Sequence, residues 1–313
     1  MKYIFLIQAL LVSIVFATES ITPTQTADFF YHKFGDKADP HRKVNHTKGF
    51  CVSGEFLPRK DIREFVKVPL LYTKSEVLAR YSIGGGNPKA SDKSSAHGFA
   101  LKLKNGKQEW DFATLNSVIN SGKTPDVIVK FLEVIGDPTK KKELQELIKK
   151  YPSVKRAMDY GDTIGVPVSL ANVQFNTQHV YRVSDSDGKL MNAKIIFVPQ
   201  AGIIELSEKE AKKVGDDFLE KRLEADLKKG SVNYYMYLVL ANPKDPVDDI
   251  SAAWENTNKK IFLGTLELKT FKGNSCNTDL FLPGMLPNGV QAPVDSVFEF
   301  RNQTYSITHQ RRE

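Results

Sequence analysis

Apolar and polar positions alternate with a period of two through much of the chain. Residues 98–104 and 107–112 do so on either side of Asn105-Gly106, the turn pair of a two-residue hairpin. Residues 77–83, 168–173, 178–183, 194–199 and 261–271 read as further strands, and 234–240 as a continuous apolar one. In the second half of 41–56 the alternation puts His46, Phe50, Val52 and Phe56 on one face and Cys51 on the other. Gly84-Gly85-Gly86 lacks the spacing and following helix of a dinucleotide fingerprint and reads as a loop. Helical periodicity takes over elsewhere. Residues 27–34 form an amphipathic helix ending at Gly35. Val127, Ile128, Phe131, Leu132 and Ile135 share one stripe, Leu144, Leu147 and Ile148 another. Ser207 with Glu210 makes a capping box that opens a helix running to Lys229. After a Pro- and Gly-rich loop at 283–293 comes a terminal helix of a different kind. Its positions 301, 305, 308, 309 and 312 lie on one stripe and carry Arg, Tyr, Thr, His and Arg, with no aliphatic residue. That stripe is either a basic tail facing water or a face turned to something polar and anionic. No repeat or low-complexity linker interrupts the order. The elements predict one α+β domain, an antiparallel β-barrel with inserted and flanking α-helices.

The N-terminus departs from this pattern. Lys2 precedes an apolar run from 3 to 16 broken only by Gln8 and Ser13, then Val15-Phe16-Ala17 and polar residues. This reads as a signal peptide over 1–17, with 18–313 as the domain exported to the periplasm or secreted. The run is short of the ~20 residues a membrane span needs, so no membrane association is expected after cleavage. Composition is that of an ordinary globular chain, 41% hydrophobic and 26% charged over 313 residues. The net charge of +7 is spread out and not interleaved with aromatics, which argues against nucleic acid and suits an anionic cofactor. Cys51 and Cys276 lack metal-ligand spacing. Export permits a disulfide between them, two buried free thiols being the alternative.

The candidate chemistry begins at Tyr305. Adjacent guanidiniums stabilise a phenolate, a hard anionic ligand of the kind that holds haem iron in catalases. Four segments, in order and correctly spaced, then resemble the catalase superfamily. They are His46-Thr47-Lys48-Gly49, Arg80-Tyr81-Ser82, His97-Gly98-Phe99-Ala100-Leu101-Lys102-Leu103 with Trp110-Asp111-Phe112, and Arg301-x-x-x-Tyr305. Asn45 to Gly54 further resembles the minimal catalase-related peroxidases, as do 181–188, Pro199-Gln200-Ala201-Gly202 and Asn242-Pro243.

The resemblance implies haem b as cofactor, with Tyr305 as axial iron ligand and Arg301 holding it ionised. His46 becomes the distal acid-base and Ser82 its orienting partner. Asn116 is either the asparagine that steers peroxide or a turn residue, since Ser117-Val118 follows where the family has Thr-Pro. Arg80 and Arg312 would face haem propionates, with Arg42 or Lys43 beside them, and His309 would lie near the haem. The implied activity is a peroxidase that reduces hydrogen or organic peroxides with a small organic donor, in oxidative-stress defence. The alternatives are a true catalase, a lipid-hydroperoxide-converting relative and a non-catalytic haem-binding protein. The short segments before His46 and after Tyr305 predict an open haem edge. Monomer and homodimer both remain open.

Overall fold

The computed structural model describes residues 20–36, 38–255 and 257–313, and the leader assigned to 1–17 lies outside them. In chain order the elements are α1 (Pro23–Phe34), β1 (Gly49–Pro58), β2 (Ser75–Ile83), β3 (His97–Asn105), β4 (Gln108–Leu115), α2 (Pro125–Val134), α3 (Lys141–Lys150), α4 (Pro152–Asp162), β5 (Phe175–Asn176), β6 (Tyr181–Ser184), β7 (Leu190–Pro199), α5 (Glu208–Ala211), α6 (Leu219–Lys229), β8 (Val232–Leu240), β9 (Lys260–Gly273), β10 (Val290–Gln291) and α7 (Ser296–Gln310). Strands β1 to β4 form an antiparallel meander. The sheet continues from β4 through β5 and β7, and β7 pairs with β8, which returns through β9 to β1. Eight strands thus close a barrel, with β6 and β10 attached outside β7. This is the α+β barrel the alternation predicted.

Period-two alternation sends Tyr81, Phe99, Leu101, Trp110, Phe112, Phe175, Phe197 and Tyr234 inward, where each is fully buried. Phe99 stacks on Phe175 and Tyr234 at 5.0 and 5.5 Å, and burial of each such ring stabilises by about 1.5–3 kcal/mol. Tyr81 Oη donates to Tyr234 Oη (3.0 Å), which donates to the Leu170 carbonyl (2.7 Å), whereas buried Trp110 Nε1 has no partner among the described residues.

The structure departs from the sequence pattern at five places. Residues 168–173 are not a strand. Ser169 caps a single 3₁₀ turn, Leu170–Asn172, whose backbone bends over the barrel end. The helix opened by Ser207 stops at Ala211 and restarts at Leu219. The intervening Asp216 and Asp217 are held by Ser91 and Lys48, and Asp92 caps α6 from outside by accepting Leu219 N (2.7 Å). The strand read over 178–183 begins only at Tyr181. The 283–293 loop contains the two-residue β10. Strand β1 begins at Gly49, so His46 precedes the strand and does not share its alternation.

Helix α7 docks with little aliphatic contact. Asp295 caps it, accepting Val297 N and Phe298 N. Val297 and Phe298 bury its first turn, and buried Asn302 accepts Gly284 N (3.0 Å). Its far end is tied to α1 by Tyr31 Oη donating to the Thr308 carbonyl (3.1 Å) and by Arg311 paired with Asp28 (2.7 Å).

Candidate functional site

The outer faces of β1 to β4 build one wall. In register, Cys51 lies beside Arg80, Arg80 beside Ala100, and Ala100 beside Ala113; Ser82 lies beside Gly98, and Gly98 beside Leu115. Small residues keep this wall low. A Cβ at Gly98 would stand 2.7 Å from Ser82 Oγ and 2.9 Å from His46 Nδ1, so only glycine lets β3 pass under that pair.

His46 is held against the wall in a left-handed backbone conformation, φ 50°, the one non-glycine case among the described residues. That conformation costs an L-residue about 1–2 kcal/mol, and several bonds fix it. Asn45 Oδ1 accepts His46 N, while Arg80 donates Nη1 to the His46 carbonyl (2.9 Å) and Nη2 to the Thr47 carbonyl (3.0 Å). The ring's Nδ1 pairs with Ser82 Oγ at 3.0 Å. Burial, then the charges of Arg80 and Arg301 and the neighbouring His97, push His46 down to about 4. The ring is therefore a neutral base over most of the pH range.

Helix α7 brings Tyr305 to the same wall. Arg301 donates Nε and Nη2 to Tyr305 Oη at 3.0 and 2.7 Å, and Nη2 also reaches the Ala113 carbonyl (3.3 Å). Arg301 Nη1 faces His179 Nε2 at 3.4 Å, and His179 Nδ1 meets Asp295 Oδ2 at 2.9 Å. With its proton on Nδ1, His179 donates to Asp295 and accepts from Arg301. Burial pushes His179 down despite the Asp295 carboxylate, which favours this neutral tautomer. The polar stripe of the terminal helix is thus engaged and is not a frayed tail.

A third group is cationic. Arg80 and Arg312 are buried, and Lys43 is near enough to feel both charges. None of the three forms a salt bridge among the described residues. Arg80 Nε donates to Asn277 Oδ1 (2.8 Å), Arg312 Nη1 to the Asn277 carbonyl (3.2 Å) and Lys43 Nζ to the Asp279 carbonyl (2.7 Å). Burial, with Arg312 and then Arg80, pushes Lys43 down to about 7. Burial with Arg312 pushes Arg80 to about 10. Such a cluster favours an anion.

Two candidates are engaged differently. Arg42 is paired with Asp36 at 2.7 Å, while Lys43 feels the charges of the two arginines. Asn116 spends its amide locally: Oδ1 accepts His97 N (3.0 Å) and Nδ2 donates to the Ser95 carbonyl (2.8 Å). His309 lies between Arg312 Nη2 (3.3 Å) and Glu313 (3.1 Å), beside a recess of about 330 Å³ at the end of α7. His179, Asp295 and Asn277 were not singled out from the sequence. His179 sat in a strand-like run, and neither Asp295 nor Asn277 stood in a motif. Cys51 and Cys276 form a disulfide.

Known proteins resemble this chain over most of its length. A family model described as Catalase matches residues 25–313. A catalase-related peroxidase of Synechococcus elongatus is 27% identical, covering 95% of this chain and 90% of its own length. One from Mycolicibacterium paratuberculosis is 26% identical, covering 92% and 94%. The catalase of Listeria seeligeri is 24% identical over 88% of this chain, which spans 62% of that protein. Among solved structures, catalase A of Saccharomyces cerevisiae superposes with a TM-score of 0.74 at 18% identity, covering 87% of this chain and 61% of its own. A bacterial catalase gives 0.76 at 18% identity, covering 87% and 57%. The chain belongs to the catalase family.

Proposed function

We propose that this protein is a haem b-dependent peroxidase, reducing hydrogen peroxide or organic peroxides with a small organic donor and showing weaker catalase activity. The coarser reading, an oxidoreductase acting on peroxide, follows from family membership. One observation carries the haem-dependent part of this reading. A phenol clamped by two N–H groups of one arginine shares a wall with a neutral histidine clamped by a serine.

The residues present fit haem. Tyr305 offers an oxygen ligand kept electron-rich by Arg301. Lys43, Arg80 and Arg312 hold their charge on neutral oxygens, leaving it free for two propionate carboxylates. Bound there, haem would supply the redox chemistry. The protein's own part is proton handling. His46, neutral and oriented by Ser82, takes the proton from the near oxygen of peroxide and returns it to the far one, so that water leaves. Asp295 and His179 fix Arg301, and Arg301 orients the Tyr305 oxygen. Asn116, with its amide committed to the start of β3, acts as a brace rather than a peroxide contact.

Peroxidase is favoured over catalase by the relatives. Two catalase-related peroxidases, 27% and 26% identical to this chain, support that preference. The test compares oxygen release from hydrogen peroxide with oxidation of an aromatic donor by hydrogen peroxide and cumene hydroperoxide. Donor oxidation with slow oxygen release is expected. Rapid oxygen release without donor oxidation would promote the true-catalase reading. The leader at 1–17 suggests export to the periplasm or beyond, testable by N-terminal sequencing of the protein recovered from each fraction.

A further inference from the structure

All three cations beside the site lean on one short segment. Asn277 supplies its side-chain oxygen to Arg80 and its carbonyl to Arg312, and Asp279 supplies its carbonyl to Lys43. The three come from separate parts of the fold: the loop before β1, the middle of β2, and the end of α7. Among the described residues, the hydrogen bonds of Asn277 and Asp279 reach all three.

That segment would be a weak support alone, being a surface turn after β9 in which Thr278 is exposed. It is fastened from beneath. Cys276 is bonded to Cys51 on β1, and Cys51 lies beside Arg80 in register. Both sulfurs are buried with Phe281 against Leu78 and Ala100 on the outer wall. Cys276 therefore cannot lift from the wall without carrying Asn277 off Arg80. The turn is also closed internally, Asn277 N and Nδ2 both donating to Asn274.

We propose that Asn277 is a positioning residue for the anion-facing cations, with the Cys51–Cys276 bond as its anchor. Its Oδ1 sets the Arg80 guanidinium so that Nη1 and Nη2 grip the His46 and Thr47 carbonyls, which links the anion-binding edge to the distal histidine. Its carbonyl sets Arg312 at the proximal end. The proposal rests on the reading that these cations receive the cofactor's carboxylates.

The test uses metal-free protoporphyrin IX and its dimethyl ester, whose binding is followed by porphyrin fluorescence. The parent protein should bind the dicarboxylate more tightly than the ester. Asn277→Ala removes one acceptor and leaves the backbone carbonyl. It should weaken dicarboxylate binding by about tenfold, the scale of one charge-assisted hydrogen bond, without moving ester binding. The Cys51→Ser, Cys276→Ser double variant should show the same selective loss. Equal losses for both porphyrins in Asn277→Ala would mean general loosening and overturn the positioning role, as would no loss for either. A parent protein that does not discriminate the two porphyrins would instead overturn the cation reading itself, and the proposal with it.

Discussion

Replacing Tyr305 by Phe keeps the ring and removes a single oxygen. That oxygen accepts Arg301 Nε and Nη2 at 3.0 and 2.7 Å. Afterwards the guanidinium retains only His179 at 3.4 Å and the Ala113 carbonyl at 3.3 Å. A hydrogen bond to a charged group nets about 1.5–3 kcal/mol, and stranding a buried donor costs about 1–3 kcal/mol. Both side chains are half-buried, so water can reach the freed N–H groups, and the loss should fall toward the lower figure. A domain stable by about 5–15 kcal/mol survives that change. The loss of function should not be graded in this way, because carbon cannot ligate iron. The assay pairs urea unfolding of the apoprotein with the visible spectrum and peroxide turnover after reconstitution with haem. Expected are an apoprotein destabilised by about 1–3 kcal/mol, no tyrosinate–ferric haem spectrum and no turnover. The parent's spectrum and activity in the variant would refute Tyr305 as the ligand. Failure of the apoprotein to fold would show the phenol to be mainly a prop for Arg301.

The other predictions concern the distal base and the cations. His46→Ala should still bind haem but slow peroxide cleavage by ~10²-fold or more, measured by stopped flow, with parental rates removing His46 from the mechanism. His46 titrates near 4 in the fold and near 6.5 when unfolded. The unfolded chain thus binds the extra proton between those values, so this contribution makes stability fall as pH drops from about 6.5 to about 4. Urea midpoints across that window should slope less in His46→Ala, the remaining slope coming in part from His97 and His179, and an identical slope would show His46 to be unperturbed. Lys43, near 7 when free, gains from a carboxylate only while charged. Dicarboxylate porphyrin affinity should therefore decline as pH rises above about 7, and Lys43→Met should flatten the profile.

Local pattern revealed most of the strands because alternation reports directly which residues face a barrel interior. It misread 168–173, where the apolar run Val168-Ser169-Leu170-Ala171 is compatible with either a strand or a buried turn. It joined α5 to α6 because charge periodicity continues across a break that depends on distant Ser91, Lys48 and Asp92. At the site, His46, Ser82, Arg80, Arg301 and Tyr305 stood in motifs of recognisable spacing. His179 and Asp295 did not, since their roles exist only where the segment before β6 meets the cap of α7. Asn277 was invisible for a related reason. It acts through one side-chain oxygen and one carbonyl, and a carbonyl leaves no trace in sequence. Arg42 and Lys43 were equal candidates in sequence, and the fold gives Arg42 an acid of its own.

The partners chosen for the cations explain how the site keeps its charge. Several cations elsewhere pair with acids, Lys48 with Asp92 and Asp217, Lys102 with Asp111 and Glu109, and Lys269 with Glu55, though Arg182, Arg222 and Lys194 rest on carbonyls. Around the candidate site Arg80, Arg312, Lys43 and Arg301 are instead held by carbonyl, amide or phenol oxygens. A carboxylate would fix their geometry equally well but cancel their field. Two opposite charges 4 Å apart attract by about 4 kcal/mol near a protein surface, and a resident carboxylate would take that attraction before any ligand arrived. Neutral acceptors orient the guanidiniums and leave the attraction for an incoming anion. The cost falls on the apoprotein, in crowded cations and a lysine pushed down to about 7. An anionic cofactor relieves that crowding. Its binding should therefore stabilise the fold by more than its apolar contacts alone would give, which makes the difference between the dicarboxylate and its ester a direct reading of the charge the protein has kept.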